Sequence, residues 1–146
     1  MTVDHNGLQV MGRDECYALL SRGAVGRVGI SSAALPAVFP VNYFFDGESI
    51  FIKTGADSSL LNVALDDEVV AFEIDDVDPL EHTGWSVLVT GMANAAALPS
   101  HHDAGAAPIP RWAPTDADAI VAITPSFVSG RRLVAGSGDD GEGQGF

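Results

Sequence analysis

What this chain lacks excludes or disfavours several classes of protein. Its single cysteine, Cys16, cannot form an internal disulfide or a cysteine metal cluster, and we expect it to be a buried thiol that packs a helix. The chain has seven Lys and Arg residues but 20 Asp and Glu residues, whereas binding to nucleic acids and anionic membranes requires clustered positive charge. No apolar run approaches the roughly 20 residues that span a bilayer, and the N-terminus lacks a signal segment. We therefore expect a cytoplasmic protein with neither nucleic-acid nor membrane partners.

Sequence motifs of common enzyme classes are also missing. There is no Gly-rich phosphate loop, no dinucleotide fingerprint, no nucleophile elbow and no His-Glu metal helix. His101, His102 and Asp103 carry metal-binding groups, but they lie in an irregular Ala/Pro segment without a partner ligand at a defined spacing. We predict no metal site.

The hydrophobic pattern predicts one mainly β domain with short helices. The chain has 146 residues, of which 47% are hydrophobic, and this length can bury about two-thirds of the unfolded surface around one core. Alternating apolar residues predict about six strands. These strands cover residues 24–31, 36–45, 49–54, 68–75, 85–95 and 119–134, the last segment giving one strand or two.

Turns and helices complete this pattern. A helix is predicted over residues 13–22, with Gly23 at its end and a shared apolar face of Cys16, Leu19 and Leu20. Asp46-Gly47 predicts a hairpin, so the strands on either side should pair antiparallel. A second helix should begin at an N-cap, Asp57 or Ser58, and present Leu60, Leu61, Ala64 and Leu65. Residues 75–84 are predicted to be a turn-rich connector whose carboxylates are solvated. The lack of regular strand-helix alternation favours a small antiparallel barrel.

The only lysine of the chain, Lys53, ends a predicted strand. Behind it, hydroxyls from Thr54, Ser58 and Ser59 and the N–H groups of a helix start could cradle a phosphate. The alternative is a lysine at a sheet edge that discourages aggregation. Both interpretations fit the residues alone.

Two tryptophan positions can each be interpreted in two ways. Trp85 opens a predicted strand and either offers a flat face for stacking or belongs to the core, while Ser86 points to the opposite side. Arg111 and Trp112 sit between prolines in a rigid loop that either closes over a site or packs against the barrel.

In this order, the segments resemble the flavin-binding split-barrel family related to pyridoxamine 5′-phosphate oxidase, in its small actinobacterial form. The resemblance covers roughly residues 11 to 134 and is carried by ECYALLSRGAVGRVGI, FPVNYFFDGESIFIKT, VVAFEIDDVDPLEHTGWSVLVTGMA, RWAP and ITPSFVSGRRL. It implies a six-stranded antiparallel split β-barrel that forms a homodimer, with FMN or a related flavin at each end of the dimer interface. We expect residues 1–10 to be a flexible N-terminus and residues 135–146 a disordered, acidic, Gly-rich tail.

The resemblance also implies which residues contact the cofactor. The basic residue and hydroxyls that hold the FMN phosphate are matched by Lys53, Thr54 and Ser58. The second-strand residues that lie along the isoalloxazine are matched by Pro40, Val41 and Asn42. The strand after the connector would meet the flavin through Trp85 and Ser86.

Two neighbours of Lys53 depart from the family pattern. Members usually read Gly, then Ser or Thr, then Lys, where this chain has Asp57, Ser58 and Ser59. Ser59 thus replaces a second phosphate-binding lysine, and Asp57 adds a carboxylate at the helix start. We expect FMN binding to be weaker by about 1 to 2 kcal/mol after solvent screening, unless Arg27 or an arginine of a partner subunit compensates.

Two functional hypotheses follow. The first is an FMN- or deazaflavin-dependent oxidoreductase that acts on a small-molecule substrate of unknown identity, with the barrel supplying stacking and phosphate anchoring. The substrate arginines and histidine of a true pyridoxamine phosphate oxidase are not found, so that specific activity is not expected. The second is a non-enzymatic protein that binds or senses a flavin, deazaflavin or haem, or that has lost its ligand.

Overall fold

The computed structural model describes residues 2–97 and 118–134 of the chain. Within them the chain is mainly β with two short helices, which confirms the predicted fold class. The strands are β1 (Gln9–Met11), β2 (Val25–Ser32), β3 (Leu35–Phe45), β4 (Ile50–Gly55), β5 (Val69–Asp78), β6 (Thr83–Ala96) and β7 (Asp118–Leu133). The helices are α1 (Arg13–Arg22) and α2 (Ser59–Leu65). Neither of these two helices is long and apolar enough to cross a membrane.

Six of the strands close into the predicted barrel. The antiparallel order is β7-β4-β3-β2-β5-β6, and β6 pairs in turn with β7, so that the ring has no open edge. The last predicted segment is one continuous strand, β7, which bends at a bulge opposite Gly91. A Cβ atom on Gly91 would lie 2.2 Å from the carbonyl oxygen of Thr124, so only glycine allows this close approach.

The core lies inside the barrel, where alternate residues of each strand meet. On β5 the alternate residues Val70, Phe72 and Ile74 are all buried. Tyr43 from β3 is also buried, and its ring contacts that of Phe72 edge-on at 4.9 Å. Its hydroxyl donates a hydrogen bond of 2.8 Å to the carbonyl of Leu20 in α1, and burial raises the pKa of Tyr43 to about 12.

The prediction of a ten-residue connector between β5 and β6 was wrong. β5 continues to Asp78 and β6 begins at Thr83, so only residues 79–82 form the turn. Asp78 accepts hydrogen bonds from the N–H groups of Leu80 and Glu81 and thereby closes this hairpin. The acidic residues fit a strand here because their side chains remain exposed, and the carboxylates at positions 75 and 76 are therefore strand residues and not a solvated turn.

The helices pack against this barrel largely as expected. Cys16, Leu19 and Leu20 of α1 are buried, and burial raises the pKa of the Cys16 thiol. Ser58 is the N-cap of α2, because its Oγ accepts a hydrogen bond of 3.0 Å from the N–H of Leu61. The predicted apolar face of α2 was wrong at one position, since Leu65 is exposed and the buried residue is Val63.

The first residues of the chain approach the end of β7. β1 pairs antiparallel with β7, and Asp4 forms an ion pair with Arg131 at 2.9 Å. The flexibility expected for residues 1–10 stays a prediction, and the expected tail at 135–146 lies outside the described residues.

Candidate functional site

Lys53 lies on the outer face of the barrel. Its neighbour Ile52 is fully buried in the core, and alternation along β4 turns Lys53 to the other face, where Phe51 also lies. The side chain is half-buried and pairs across the sheet with Ile120 of β7. It makes no hydrogen bond or ion pair with residues 2–97 or 118–134. The ammonium is therefore available to an anion.

Two of the predicted second-strand contacts share the outer face with Lys53. Tyr43 pairs with Ile52, so the antiparallel register places Asn42 level with Lys53 on the adjacent strand. The amide nitrogen of Asn42 donates to the carbonyl of Ala24 at 3.4 Å. Pro40 is exposed two residues further along β3 on this face. Asn42 and Pro40 thus form a short surface beside the ammonium.

Val41, the third predicted contact on this strand, faces the other way. Its side chain is half-buried and packs against the core cluster of the barrel. Only its backbone can therefore meet a ligand on the outer face.

An arginine and two carboxylates lie next to Pro40 on the outer face. Arg27 of β2 pairs with Pro40 on one side and with Glu73 of β5 on the other. Its Nη1 donates to Glu73 Oε1 and to Asp75 Oδ2, each at 3.0 Å. We call Arg27, Glu73 and Asp75 the outer triad.

The outer triad shifts two pKa values. Burial raises the pKa of Glu73 to about 7, and a hydrogen bond and the negative charge of Asp75 add to this effect, while Arg27 opposes it. The charge of Asp75, followed by its hydrogen bond and the charge of Glu73, raises the pKa of Arg27. Glu73 is therefore poised to change charge near neutral pH.

Sequence reasoning did not find the outer triad. It considered Arg27 only as a charge that could compensate for the missing lysine near the phosphate, and it assigned no role to Glu73. The missing information was the pairing of β2 with β5, which joins residues 46 positions apart. The sequence offered one signal for this group. Arg27 is a single arginine on the outer face of β2, and Glu73 and Asp75 are two acids at alternate positions on the outer face of β5.

Ser86 completes one row of residues across the barrel. Asp75 pairs with Ser86 of β6, and the half-buried Ser86 alternates with the fully buried Val87, so it faces outward. Because Arg27 pairs with Glu73, Val25 lies level with Asp75. The row, called the outer row below, comprises Lys53, Asn42, Val25, Asp75 and Ser86. It crosses four strand spacings, about 19 Å along the curved surface.

Trp85 lies on the opposite face of β6 from Ser86. Its half-buried side chain packs against the barrel core, which agrees with the core interpretation, whereas the stacking interpretation stays a prediction. The ring also lines an open pocket of about 450 Å³ at the end of the barrel, together with Asp76, Asp78, Thr83, Gly84, Arg132, Leu133 and Val134. Arg132 forms an ion pair with Glu15 of α1.

The predicted phosphate-binding hydroxyls do not share the face of Lys53. Thr54 follows Lys53 on β4, so its half-buried side chain turns to the inner face. Ser58 uses one lone pair to cap α2 and keeps its hydroxyl proton for another acceptor. Ser59 and Asp57 are exposed at the start of α2. The structure therefore brings Lys53 together with Asn42 rather than with Thr54.

Some predicted positions lie outside the described residues. These are the metal-binding candidates His101, His102 and Asp103 and the loop residues Arg111 and Trp112. Within the described ranges, no group of three or more His, Cys, Asp or Glu side chains is arranged to hold a metal ion.

Comparisons with known proteins point to one family. The sequence model of the pyridoxamine 5′-phosphate oxidase family matches residues 12–132. An uncharacterized protein of Mycobacterium tuberculosis is 37% identical over 137 residues, which cover 86% of this chain and 85% of that protein.

Solved structures agree with this assignment. The FAD binding protein from Mycobacterium smegmatis is 25% identical and has a TM-score of 0.67, with 86% of this chain and 98% of that chain covered. A Corynebacterium glutamicum structure named for pyridoxamine 5′-phosphate oxidase is 26% identical and has a TM-score of 0.70. The match covers 93% of this chain and 100% of that chain. The six-stranded barrel and the match over residues 12–132 lead to one assignment: the chain belongs to the pyridoxamine 5′-phosphate oxidase family.

Proposed function

We propose that this protein is a flavin-dependent oxidoreductase that binds FMN along the outer row, with the phosphate at Lys53 and the ring toward Ser86. The observation that supports this function is the outer row itself, because it aligns on one face an amide, a hydroxyl and an ammonium that has no partner in the described part of the chain. The similar protein from M. smegmatis binds FAD, which supports a flavin as the ligand class. A bound flavin would supply hydride transfer at its N5 atom.

The residues of this chain would hold and orient that flavin. Lys53 would neutralise the phosphate, with Thr54, Ser58 and Ser59 as further donors only if the loop rearranges. Pro40, Asn42 and the backbone at Val41 would lie along the ring. Ser86 would donate a hydrogen bond from β6, and Trp85 would reach the ring only from the end of the barrel.

Arg27 does not replace the positive charge of the second lysine that family members have where this chain has Ser59. Its single positive charge faces the carboxylates of Glu73 and Asp75, so the outer triad carries a formal charge of −1 when both acids are ionised (+1 − 2). Asp57 remains exposed in the turn that joins β4 to α2. We therefore expect one copy of the chain to bind FMN weakly. Tighter binding would need positive charge from a second copy.

A homodimer would also enclose the flavin. The outer row lies on a convex surface, whereas ligand sites bury most of their ligand. Apolar side chains on the same outer faces of β2, β5 and β6 are between 42% and 62% exposed, namely Val25, Val69, Val77, Leu88 and Met92. A second copy that covered them would bury apolar surface and close the site.

The second candidate function is a non-enzymatic protein that binds or senses a flavin, deazaflavin or haem. The observation that favours it is the acidic charge of this part of the surface, because Asp57 lies in the turn after β4 and the outer triad carries a net negative charge on β2 and β5. Such a protein would bind its ligand without turnover when reduced nicotinamide cofactor and electron acceptors are supplied.

Quenching of flavin fluorescence tests the site. Wild type, Lys53→Ala and Lys53→Arg would be titrated into FMN, FAD and a deazaflavin, with light scattering to count subunits. We expect Lys53→Ala to weaken FMN binding about tenfold and Lys53→Arg to retain it. Asp57→Asn should tighten binding severalfold because it removes a repelling carboxylate. Binding unaffected by Lys53→Ala would remove Lys53 from the site, and no flavin binding by a stable monomer would contradict the function.

A further inference from the structure

The open pocket at the end of the barrel is separate from the outer row. It has a volume of about 450 Å³ and is lined by the ends of three adjoining strands, β5, β6 and β7. Pockets of this volume accept small molecules. The outer row passes over β6 at Ser86, while Trp85 faces the pocket from the opposite side of the strand. The pocket therefore exists within one copy of the chain.

Negative charge dominates the lining of this pocket. Asp76 and Asp78 contribute two carboxylates, and Arg132 contributes one guanidinium. Glu15 from α1 forms an ion pair with Arg132 and offsets its charge. One oxygen of Asp78 accepts two backbone hydrogen bonds in the hairpin turn, which leaves its second oxygen for a ligand. The pocket thus disfavours anions.

The aromatic wall of the pocket adds a preference for positive charge. A tryptophan face is the strongest of the protein aromatic rings in attracting a cation, and the attraction is larger for cations that are weakly hydrated. Trp85 is half-buried and packs against the core, and its cross-strand partners are Asp76 of β5 and Arg132 of β7, whose charge Glu15 offsets. The aromatic side chain and the two carboxylates therefore line the same pocket.

We propose that this pocket binds a small organic cation with an alkylated ammonium group, held against the ring of Trp85 by the carboxylates of Asp76 and Asp78. Thr83 lines the same pocket and offers a hydroxyl to the polar end of such a molecule. Binding requires neither the flavin nor the second copy, so it adds a ligand class to the proposed oxidoreductase without depending on it.

Tryptophan fluorescence provides the test, with choline as the probe and its neutral carbon analogue 3,3-dimethylbutan-1-ol as the matched control. The chain has two tryptophans, so the titration uses a Trp112→Phe background in which Trp85 is the only reporter. Saturable quenching by choline and none by the neutral alcohol is the expected result. Asp76→Asn and Asp78→Asn should each weaken choline binding about fivefold at low salt, because one carboxylate near a cation is worth about 1 kcal/mol in water. Asp66→Asn, at the end of α2, should leave choline binding unchanged.

NMR of choline binding extends the test to variants without the reporter. Trp85→Leu should abolish saturable choline binding while retaining the cooperative unfolding transition of wild type. Equal binding of choline and the alcohol would overturn the proposal, and so would binding that both Asp→Asn variants leave unchanged. Lys53→Ala should not affect choline binding and FMN should not displace choline, so failure of the flavin site and failure of this pocket give different results. Displacement of choline by FMN would show that the pocket is part of the flavin site and would also overturn the proposal.

Discussion

The raised pKa of Glu73 makes the stability of the fold depend on pH in a defined direction. Its ordinary value is 4.5 and its value in the folded chain is about 7. Between these values the folded chain binds more protons than the unfolded chain, so the free energy of unfolding should fall as pH rises from 4.5 to 7. Above pH 7 both states are ionised at this position, and the contribution becomes constant.

The structure limits the size of this effect. A full shift from 4.5 to about 7 corresponds to an upper bound of about 3 kcal/mol. The Glu73 side chain is 33% exposed and Arg27 is 52% exposed, so solvent screens the charges and we expect about 1 kcal/mol. Glutamine has the shape of protonated glutamate, and Glu73→Gln should therefore remove the pH dependence.

Urea unfolding of wild type and Glu73→Gln at several pH values between 5 and 8 measures this contribution. The stability of Glu73→Gln relative to wild type should rise by about 1 kcal/mol from pH 5 to pH 8, and the other titrating groups cancel in the difference. In an Asp75→Asn background the rise should be smaller, because Arg27 then neutralises Glu73 alone. A difference that stays constant with pH, or that falls, would refute the assignment of the shifted pKa to Glu73.

Three further substitutions test the packing that positions the site, each by urea unfolding. Tyr43→Phe should cost about 1 to 2 kcal/mol because the carbonyl of Leu20 loses its buried partner, and an unchanged stability would mean that the bond contributes nothing. Gly91→Ala should destabilise the barrel by more than about 2 kcal/mol, since the new Cβ would lie 2.2 Å from a backbone oxygen of β7, whereas Gly12→Ala has open space and should cost far less. Ser58→Ala should cost about 1 kcal/mol through loss of the α2 cap, and an equal stability of wild type and variant would contradict the capping role.

Local sequence patterns predicted most of the fold because each depends on neighbouring residues. The alternation of Val70, Phe72 and Ile74 requires only that one face of β5 be covered, and the barrel covers it. Asp46-Gly47 predicted its hairpin from turn chemistry, and Gly47 has a φ of 97°. The acidic stretch after Ile74 misled the prediction because Asp disfavours strands on average, whereas here its exposed positions pair with β6.

The candidate site was less predictable because its residues come from five strands. Lys53, Asn42 and Ser86 were all named from the sequence, but their alignment in one row depends on the registers of β4, β3, β2, β5 and β6. The registers also decide which residues cannot act together. The family resemblance matched Thr54 and Val41 to flavin contacts, but each is the sequence neighbour of an outer-face residue, and in a strand this places its side chain on the other face.

The charges along the outer row lead to a conclusion about the flavin site as a whole. Lys53 is the only lysine of the chain, and Arg27 already bonds two carboxylates, so Lys53 is the one cation of the row and has no acidic partner among residues 2–97 and 118–134. Protonation of Glu73 near neutral pH would bring the formal charge of the outer triad from −1 to zero. FMN binding along the row should therefore strengthen as pH falls from about 8 to about 7, a range in which the phosphate, whose second pKa is about 6, stays largely dianionic. Riboflavin carries no phosphate, so its binding should not depend on pH in this way. Titrations with riboflavin and with FMN at two pH values therefore test whether the phosphate lies on the row.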